Sequence, residues 1–268
     1  MPSLVRRAKY ALAAPMLDAA LATFPLLSRK APPHPAINIS GSGTAYIDNG
    51  EQTAERLIRD GLSTGQTVVE IGMGMGGNAL ALWKRFGGRI DYRGFDIVRF
   101  AVTWTRQHFA QLGSGYEFAH ADVFNSFYNP FGCASPATYA FPYSAKSADM
   151  VFANSVFTHM QEREVERYIQ ESSRILKPGG RVWFSFFLLD DDSEAKLAQR
   201  ATFWSFDHES GVARVYNPKE PDHAVAYPEA WVRSKLADAG LDVLTVERGS
   251  WRGRDSGYFQ DVVVAERA

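Results

Sequence analysis

Glu70 is followed by Gly72, Gly74, Gly76 and Gly77 in the stretch TVVEIGMGMGG at residues 67–77. A turn built from glycines reaches positive φ without steric cost and lets a ligand come close to its backbone. Where a helix starts at the end of such a turn, its unpaired N–H groups and positive dipole end face the same ligand. The chemistry on offer is nucleotide binding. Gly72, Gly74 and Gly77 satisfy the dinucleotide spacing GxGxxG, whereas Glu70, Gly72, Gly74 and Gly76 satisfy ExGxGxG, and the glycines alone do not choose between the two. Asp96, with Ile97 after it, lies about twenty residues past the glycines, where nucleotide-binding sheets place an acid that accepts the ribose hydroxyls. Capping the next helix is the plainer role for such an aspartate. Asp122 and Val123, then Asn154 and His159, are the further polar positions and neighbours that fall at expected strand ends.

A sheet has to place these residues. Thr67, Val68, Val69 and Ile71 read as a buried strand and residues 78–86 as a helix, so the glycines occupy a strand-to-helix turn. Further strands are expected at 90–95, 116–119, 149–153 and 181–189, with helices at 99–112 and about 162–176. This alternation predicts a doubly wound α/β sheet. A helix at 228–239 leads to two last strands, 241–247 and 258–266, with no crossover helix between them, so they must pair as an antiparallel hairpin. A helical stretch at about 50–61 delivers the chain to the first strand, and Trp104 and Phe109 mark the apolar side of the helix at 99–112.

With these elements in place, residues 66–180 resemble the class I S-adenosylmethionine (SAM) methyltransferases. The resemblance rests on Glu70, Gly72, Gly74 and Gly76, on Asp96, on Asp122 after the third strand, and on RILKPGGRVWF at 174–184, where Pro178 is expected to stop a helix and Gly179 and Gly180 to permit the reversal into strand five. It implies a seven-stranded, mostly parallel Rossmann-like sheet with an antiparallel C-terminal strand, and SAM as cofactor. Carried over residue by residue, Glu70 would face the methionine ammonium and Gly72, Gly74 and Gly76 would admit the methionyl and ribose portions. Asp96 with Ile97 would hold the ribose, Asp122 would accept from the adenine amino group, and the backbone at Val123 would read a ring nitrogen, with Asn154 also in the cofactor site. Methyl transfer from a sulfonium requires an oriented acceptor and, for a hydroxyl, removal of a proton. His159, on the lip after strand four, is the expected base, with Asp190 second and His208 and His223 behind it; packing or capping is the plainer role of His159.

Insertions are expected at about 125–148, rich in Tyr, Phe, Pro and Asn, and at 190–227. Asp190, Asp191 and Asp192 read as the acidic start of a helix rather than a metal site, and no metal is expected. NPFG, FPYSAKSADMVF, SVFTHM, SWRGR and YFQDVVV together are similar to bacterial methyltransferases of glycan and cell-surface polysaccharide pathways. That resemblance implies an O-methyltransferase for a hydroxyl of a sugar, polysaccharide or glycolipid. Trp251, Arg252 and Arg254 form the expected saccharide surface, unless Trp251 packs on the core. A natural-product or small-acid O-methyltransferase is the alternative acceptor class, and a SAM-binding regulatory protein without chemistry is the alternative of another kind.

A chain of 268 residues, 46% hydrophobic, supports one core, read as a domain over 51–268 with an N-terminal arm or lid at 1–50. A net charge of -1 argues against a nucleic-acid partner, because phosphate binding leaves a basic footprint. Cys133 is the single cysteine, so no intramolecular disulfide forms and a cytoplasmic location is expected. In the arm, Arg6, Arg7 and Lys9 precede an Ala/Leu-rich stretch broken by Pro15 and Asp18, which is too short to span a bilayer. It reads as a helix packed on the domain or at a homo-oligomer contact, with peripheral contact at the inner membrane face, or cover over the active site, as the alternative.

Overall fold

In a computed structural model of the chain, the described residues are Met16, 44–110, 113, 115–253 and 257–268. Most of the N-terminal arm and Arg254 therefore lie outside them. The chain divides into two compact units, residues 1–135 and 136–268.

In the first unit, helix α1 (Thr44–Arg59) leads into β1 (Thr67–Ile71), α2 (Gly77–Phe86), β2 (Asp91–Asp96), α3 (Arg99–His108) and β3 (Tyr116–His120). Helix α1 starts earlier than the expected 50. All of β1 is buried, Glu70 included, as expected of a largely apolar strand covered on both faces. It pairs in parallel with β2, Thr67 opposite Asp91 and Ile71 opposite Phe95, and β2 pairs in parallel with β3. These registers bring Glu70, Asp96 and the glycine turn to the carboxyl ends of the strands. Helix α2 stops at Gly87, whose left-handed backbone (φ 59°) lets its N–H close on the Trp83 carbonyl. Trp104 is fully buried on α3, its ring stacked on His108 with centroids 4.5 Å apart.

In the second unit, β4 (Ala148–Ala153) precedes a 3-10 turn (Phe157–His159), α4 (Glu162–Ile175) and β5 (Leu176–Leu189). Strand β4 pairs in parallel with β5. The junction of α4 and β5 differs from expectation: the helix ends at Ile175, and Leu176 is already extended, before Pro178 is reached. Pairing jumps from Ala148 opposite Leu176 to Met150 opposite Arg181, so residues 177–180 bulge out. Gly179 supplies the positive φ of 73° there, and Lys177 pairs with Asp149 at 2.7 Å.

The insertion at 190–227 is not irregular. It holds α5 (Asp191–Ala198), β6 (His208–Ser210), β7 (Ala213–Val215) and, running on to its end, β8 (Val225–Pro228). Strand β8 pairs in parallel with the carboxyl end of β5, and β7 and β6 follow antiparallel, adding three strands to the seven expected. Helix α6 (Glu229–Asp238) leads to β9 (Leu241–Glu247) and β10 (Asp261–Arg267). Strands β9 and β10 form the expected antiparallel hairpin, and β10 lies antiparallel against β5.

Candidate functional site

The glycine turn is shaped from both sides. Gly72, Gly74 and Gly76 all have positive φ, at 71°, 54° and 73°. A side chain on Gly76 would stand 2.5 Å from the Phe109 ring, so at that position contact as well as backbone conformation demands glycine. Tyr46 of α1 braces the loop from behind, its hydroxyl donating to the Met75 carbonyl at 2.9 Å. No side chain caps the start of α2, so the helix dipole is left to a ligand.

Two acids meet this turn. Asp96 is buried, and its carboxylate accepts from the backbone N–H of Gly74 and of Val98, each at 2.8 Å, and from Ile97. Burial pushes its pKa up against these donors. The expected ribose acid thus also ties the glycine turn to the start of α3, and a carboxylate retains acceptor capacity beyond two or three N–H groups. Glu70 is 1% exposed; Asn78 Nδ2 donates to its Oε1 at 2.6 Å, and the Tyr92 hydroxyl donates to Oε2. Burial raises its pKa to about 8, with the Tyr92 and Asn78 hydrogen bonds opposing and the nearby Asp96 charge reinforcing. A cation near Glu70 would convert it to the carboxylate, which suits the methionine ammonium of SAM. Tyr92 and Asn78 were not legible as site residues. Nothing in the spacing says that a tyrosine on the neighbouring strand and the second residue of α2 share one carboxyl group.

Asp122 follows β3 and is half-buried. Asn129 Nδ2 donates to its Oδ1 at 3.3 Å, and the Cys133 thiol donates to its carboxylate. Burial alone would raise the Asp122 pKa, but Cys133, Asn129, His120 and Arg99 together hold it below the usual carboxylate range. Val123 corrects one expectation: its N–H donates to the Ala121 carbonyl at 2.8 Å, and the next N–H, of Phe124, donates to Ala134 at 2.8 Å. Both backbone donors beside Asp122 are thus used inside the protein rather than offered to a ring nitrogen. The start of the insertion at 125–148 is what uses them, folding back until Val123 and Ala134 form a bridge.

In the second unit, Asn154 and His159 stand on the loop that leaves β4. Asn154 Oδ1 accepts from the Tyr258 hydroxyl at 2.5 Å. Ser155, beside it, has a φ of 58°, and its hydroxyl accepts from Gln260 Nε2 at 2.9 Å. His159 Nδ1 lies 3.0 Å from the Asp222 carbonyl oxygen. A carbonyl only accepts, so Nδ1 carries the proton and Nε2 is the basic nitrogen of the neutral ring. His223 stands edge-on to Trp204, centroids 5.6 Å apart, and His208 is exposed on β6.

Three other expectations are resolved by contacts. Asp190 caps α5, accepting from the Ser193 N–H at 2.9 Å, and pairs with Arg252 at 2.6 Å and Arg248 at 3.0 Å. Burial alone would raise its pKa, but the Ser193 N–H and the two guanidiniums hold it below the ordinary range, which makes it a weaker base. The acidic run is the start of a helix: Asp191 lies in the first turn of α5, and Asp192 pairs with Lys196 at 3.4 Å. Trp251 and Arg252 are both 0% exposed; the indole donates to Asp261 at 2.8 Å, and Arg252 joins Asp261 to Asp190. They are a buried brace between β10 and the end of β5, not a saccharide surface, because in Trp251 the indole that would stack on a sugar is inside the core with Phe187 and Phe206.

Residues 68–180 match the family model of a methyltransferase domain. That segment includes Glu70, the glycines, Asp96, Asp122, Asn154 and His159. Among solved structures, the chain is similar to a SAM-dependent methyltransferase from Methanosarcina mazei, with 17% identity and a TM-score of 0.55 over 79% of this chain and 96% of that one. It is similar also to a putative sarcosine dimethylglycine methyltransferase from Galdieria sulphuraria, with 14% identity and a TM-score of 0.56 over 87% and 93%. A third is the 1,6-didemethyltoxoflavin N1-methyltransferase of Burkholderia thailandensis, solved with its substrate and S-adenosylhomocysteine, at 15% identity and a TM-score of 0.52 over 82% and 78%. The likeness to these structures is one of fold. Residues 68–180 thus match a methyltransferase domain, and the chain as a whole has the doubly wound, mostly parallel Rossmann-like fold of these structures.

Proposed function

We propose that the chain is an O-methyltransferase acting on a hydroxyl of a sugar, polysaccharide or glycolipid, with His159 as general base. Glu70, Gly72, Gly74, Gly76, Asp96, Ile97 and Asp122 hold SAM, and Asn154 serves the same site. The observation that carries the acceptor reading is one turn of the second unit that joins a fixed imidazole to a partly exposed aromatic cluster. At the 3-10 turn Pro221–His223, the Asp222 carbonyl accepts from His159 Nδ1, and the next ring, His223, stands edge-on to Trp204 and Tyr216. Phe203, 71% exposed, extends the cluster and packs on Phe259 at 5.2 Å.

SAM, when bound, supplies an electrophilic methyl group. What the chain supplies is proton removal and orientation. His159 Nε2 takes the hydroxyl proton as the new C–O bond forms, and the hydrogen bond at Nδ1 stabilises the resulting imidazolium. Aromatic faces accept the C–H face of a sugar and leave its hydroxyls exposed for such a base. A planar natural product or a small acid would also sit on these rings, and this is the second reading. Arg6, Arg7 and Lys9 support contact with an anionic membrane surface where a glycolipid acceptor would be met. Among the described residues no helix is long and apolar enough to cross a membrane.

The test is S-adenosylhomocysteine release from SAM with a panel of saccharides, glycolipid fragments, phenols and small acids. Turnover restricted to saccharides supports the proposal. Turnover restricted to phenols or acids transfers the aromatic cluster to the second reading, and SAM binding without turnover leaves a regulatory protein.

A further inference from the structure

The first half of the insertion at 125–148 does more than lengthen the loop after β3. Asn125 Oδ1 accepts from the N–H groups of Phe127 and Tyr128, at 3.0 and 2.9 Å, and sets a tight turn. The backbones of Asn125 and Asn129 then exchange a pair of hydrogen bonds at 3.1 Å. The turn brings the Asn129 amide back onto the chain, where Nδ2 donates to the Val123 carbonyl at 3.0 Å and to Asp122 Oδ1 at 3.3 Å. Ala134 closes the ring by donating to the Asp122 carbonyl at 2.9 Å. The return is tight: a side chain on Gly132 would lie 2.3 Å from the Val123 backbone. Cys133, exposed on the same return, directs its thiol to the Asp122 carboxylate.

We propose that Asn129 and Cys133 are positioning residues that make the site selective for a 6-aminopurine, by fixing Asp122 as an oriented, acceptor-only carboxylate. This rests on the assignment of Asp122 to the adenine end of SAM. Asn129 and Cys133 give Asp122 only donors, which favours the ionised form and occupies part of its acceptor capacity in one orientation. The direction of the Asp122 pKa, below its ordinary range, agrees. A fixed carboxylate gains a hydrogen bond from an exocyclic amino group and is repelled by a carbonyl oxygen at the same ring position. Sites that read a polar group in this way reject the analogue lacking it strongly, whereas a loosely held carboxylate can turn away from the wrong base.

The experiment compares S-adenosylhomocysteine with S-inosylhomocysteine, which carries the carbonyl, by calorimetric titration of the full-length chain. The native protein is expected to favour the adenine form by about ten- to a hundredfold, the size of one well-placed polar contact. Asn129→Ala and Cys133→Ala should each lower that ratio several-fold, while Cys133→Ser, which retains a donor, keeps it near native. A merely structural role would weaken both ligands equally and leave the ratio unchanged, and that result overturns the proposal. Because Cys133 is exposed, its variants remain informative where Asn129→Ala destabilises the loop. If the native chain binds neither ligand, the assignment of Asp122 to the cofactor fails, and the proposal with it. If it binds both equally, the proposal alone fails.

Discussion

Glu70 gives the most quantitative expectation. Its pKa is 4.5 in an ordinary environment and is raised to about 8 by burial in the folded chain, with the Tyr92 and Asn78 hydrogen bonds opposing. Below pH 4.5 the group is protonated in both the folded and unfolded chains and contributes no pH dependence. Between 4.5 and about 8 the unfolded chain has released this proton while the folded chain keeps it, so unfolding free energy falls as pH rises. The slope approaches about 1.4 kcal/mol per pH unit, and across the window the loss reaches at most about 5 kcal/mol. Glu70→Gln removes the titration but keeps a neutral group able to bond Tyr92 and Asn78. Denaturant unfolding of both proteins from pH 5 to 9 should therefore show the variant gaining on the native chain as pH rises, with no further gain above about pH 8. S-adenosylhomocysteine should flatten the native slope, because its ammonium favours the carboxylate. Parallel pH profiles for native and variant without ligand, or a native slope that ligand leaves unchanged, would refute the reasoning.

Gly76→Ala combines a positive φ with a contact at 2.5 Å to Phe109, and should cost about 2–4 kcal/mol in thermal or denaturant unfolding while also weakening SAM binding. Arg252→Met leaves the buried Asp261 carboxylate without its cation and should cost about 3–5 kcal/mol, read in the same unfolding assay. Trp251→Ala should destabilise the fold by about 3–5 kcal/mol, whereas Trp204→Ala should raise the acceptor KM more than it changes kcat. Asp96→Asn should lower SAM affinity at least tenfold in calorimetry, since it replaces an acceptor of the Gly74 and Val98 N–H groups and, in the proposed site, of the ribose.

The glycine turn and the place of Asp96 beside it were legible because their signals are local. Gly72, Gly74 and Gly76 need positive φ, and Asp96 follows a strand at the distance the sheet requires; both are set by a few neighbouring residues. The C-terminal hairpin was legible for a similar reason, since too few residues separate its strands for any crossover. What failed depends on partners far along the chain. Trp251 and Arg252 read as a polar surface because Asp261 and Asp190, which draw them inward, lie on other elements. The strands of 190–227 were missed because β6 and β7 are three residues each and exist through pairing, not through periodicity. Asp190 stood as the second base candidate by its place at the end of strand five, and its ion pairs with Arg248 and Arg252 come from residues about sixty positions further along the chain.

The central claim is methyl transfer from SAM to a hydroxyl with His159 as base. Its most direct test is the rate of S-adenosylhomocysteine release with the saccharide panel, for the native chain and His159→Ala. A saccharide-dependent rate that falls by about 10²–10⁴ in the variant, with SAM affinity unchanged, is the predicted result. Native-like turnover in His159→Ala, or no turnover of any hydroxyl acceptor by a native chain that binds SAM, would contradict it.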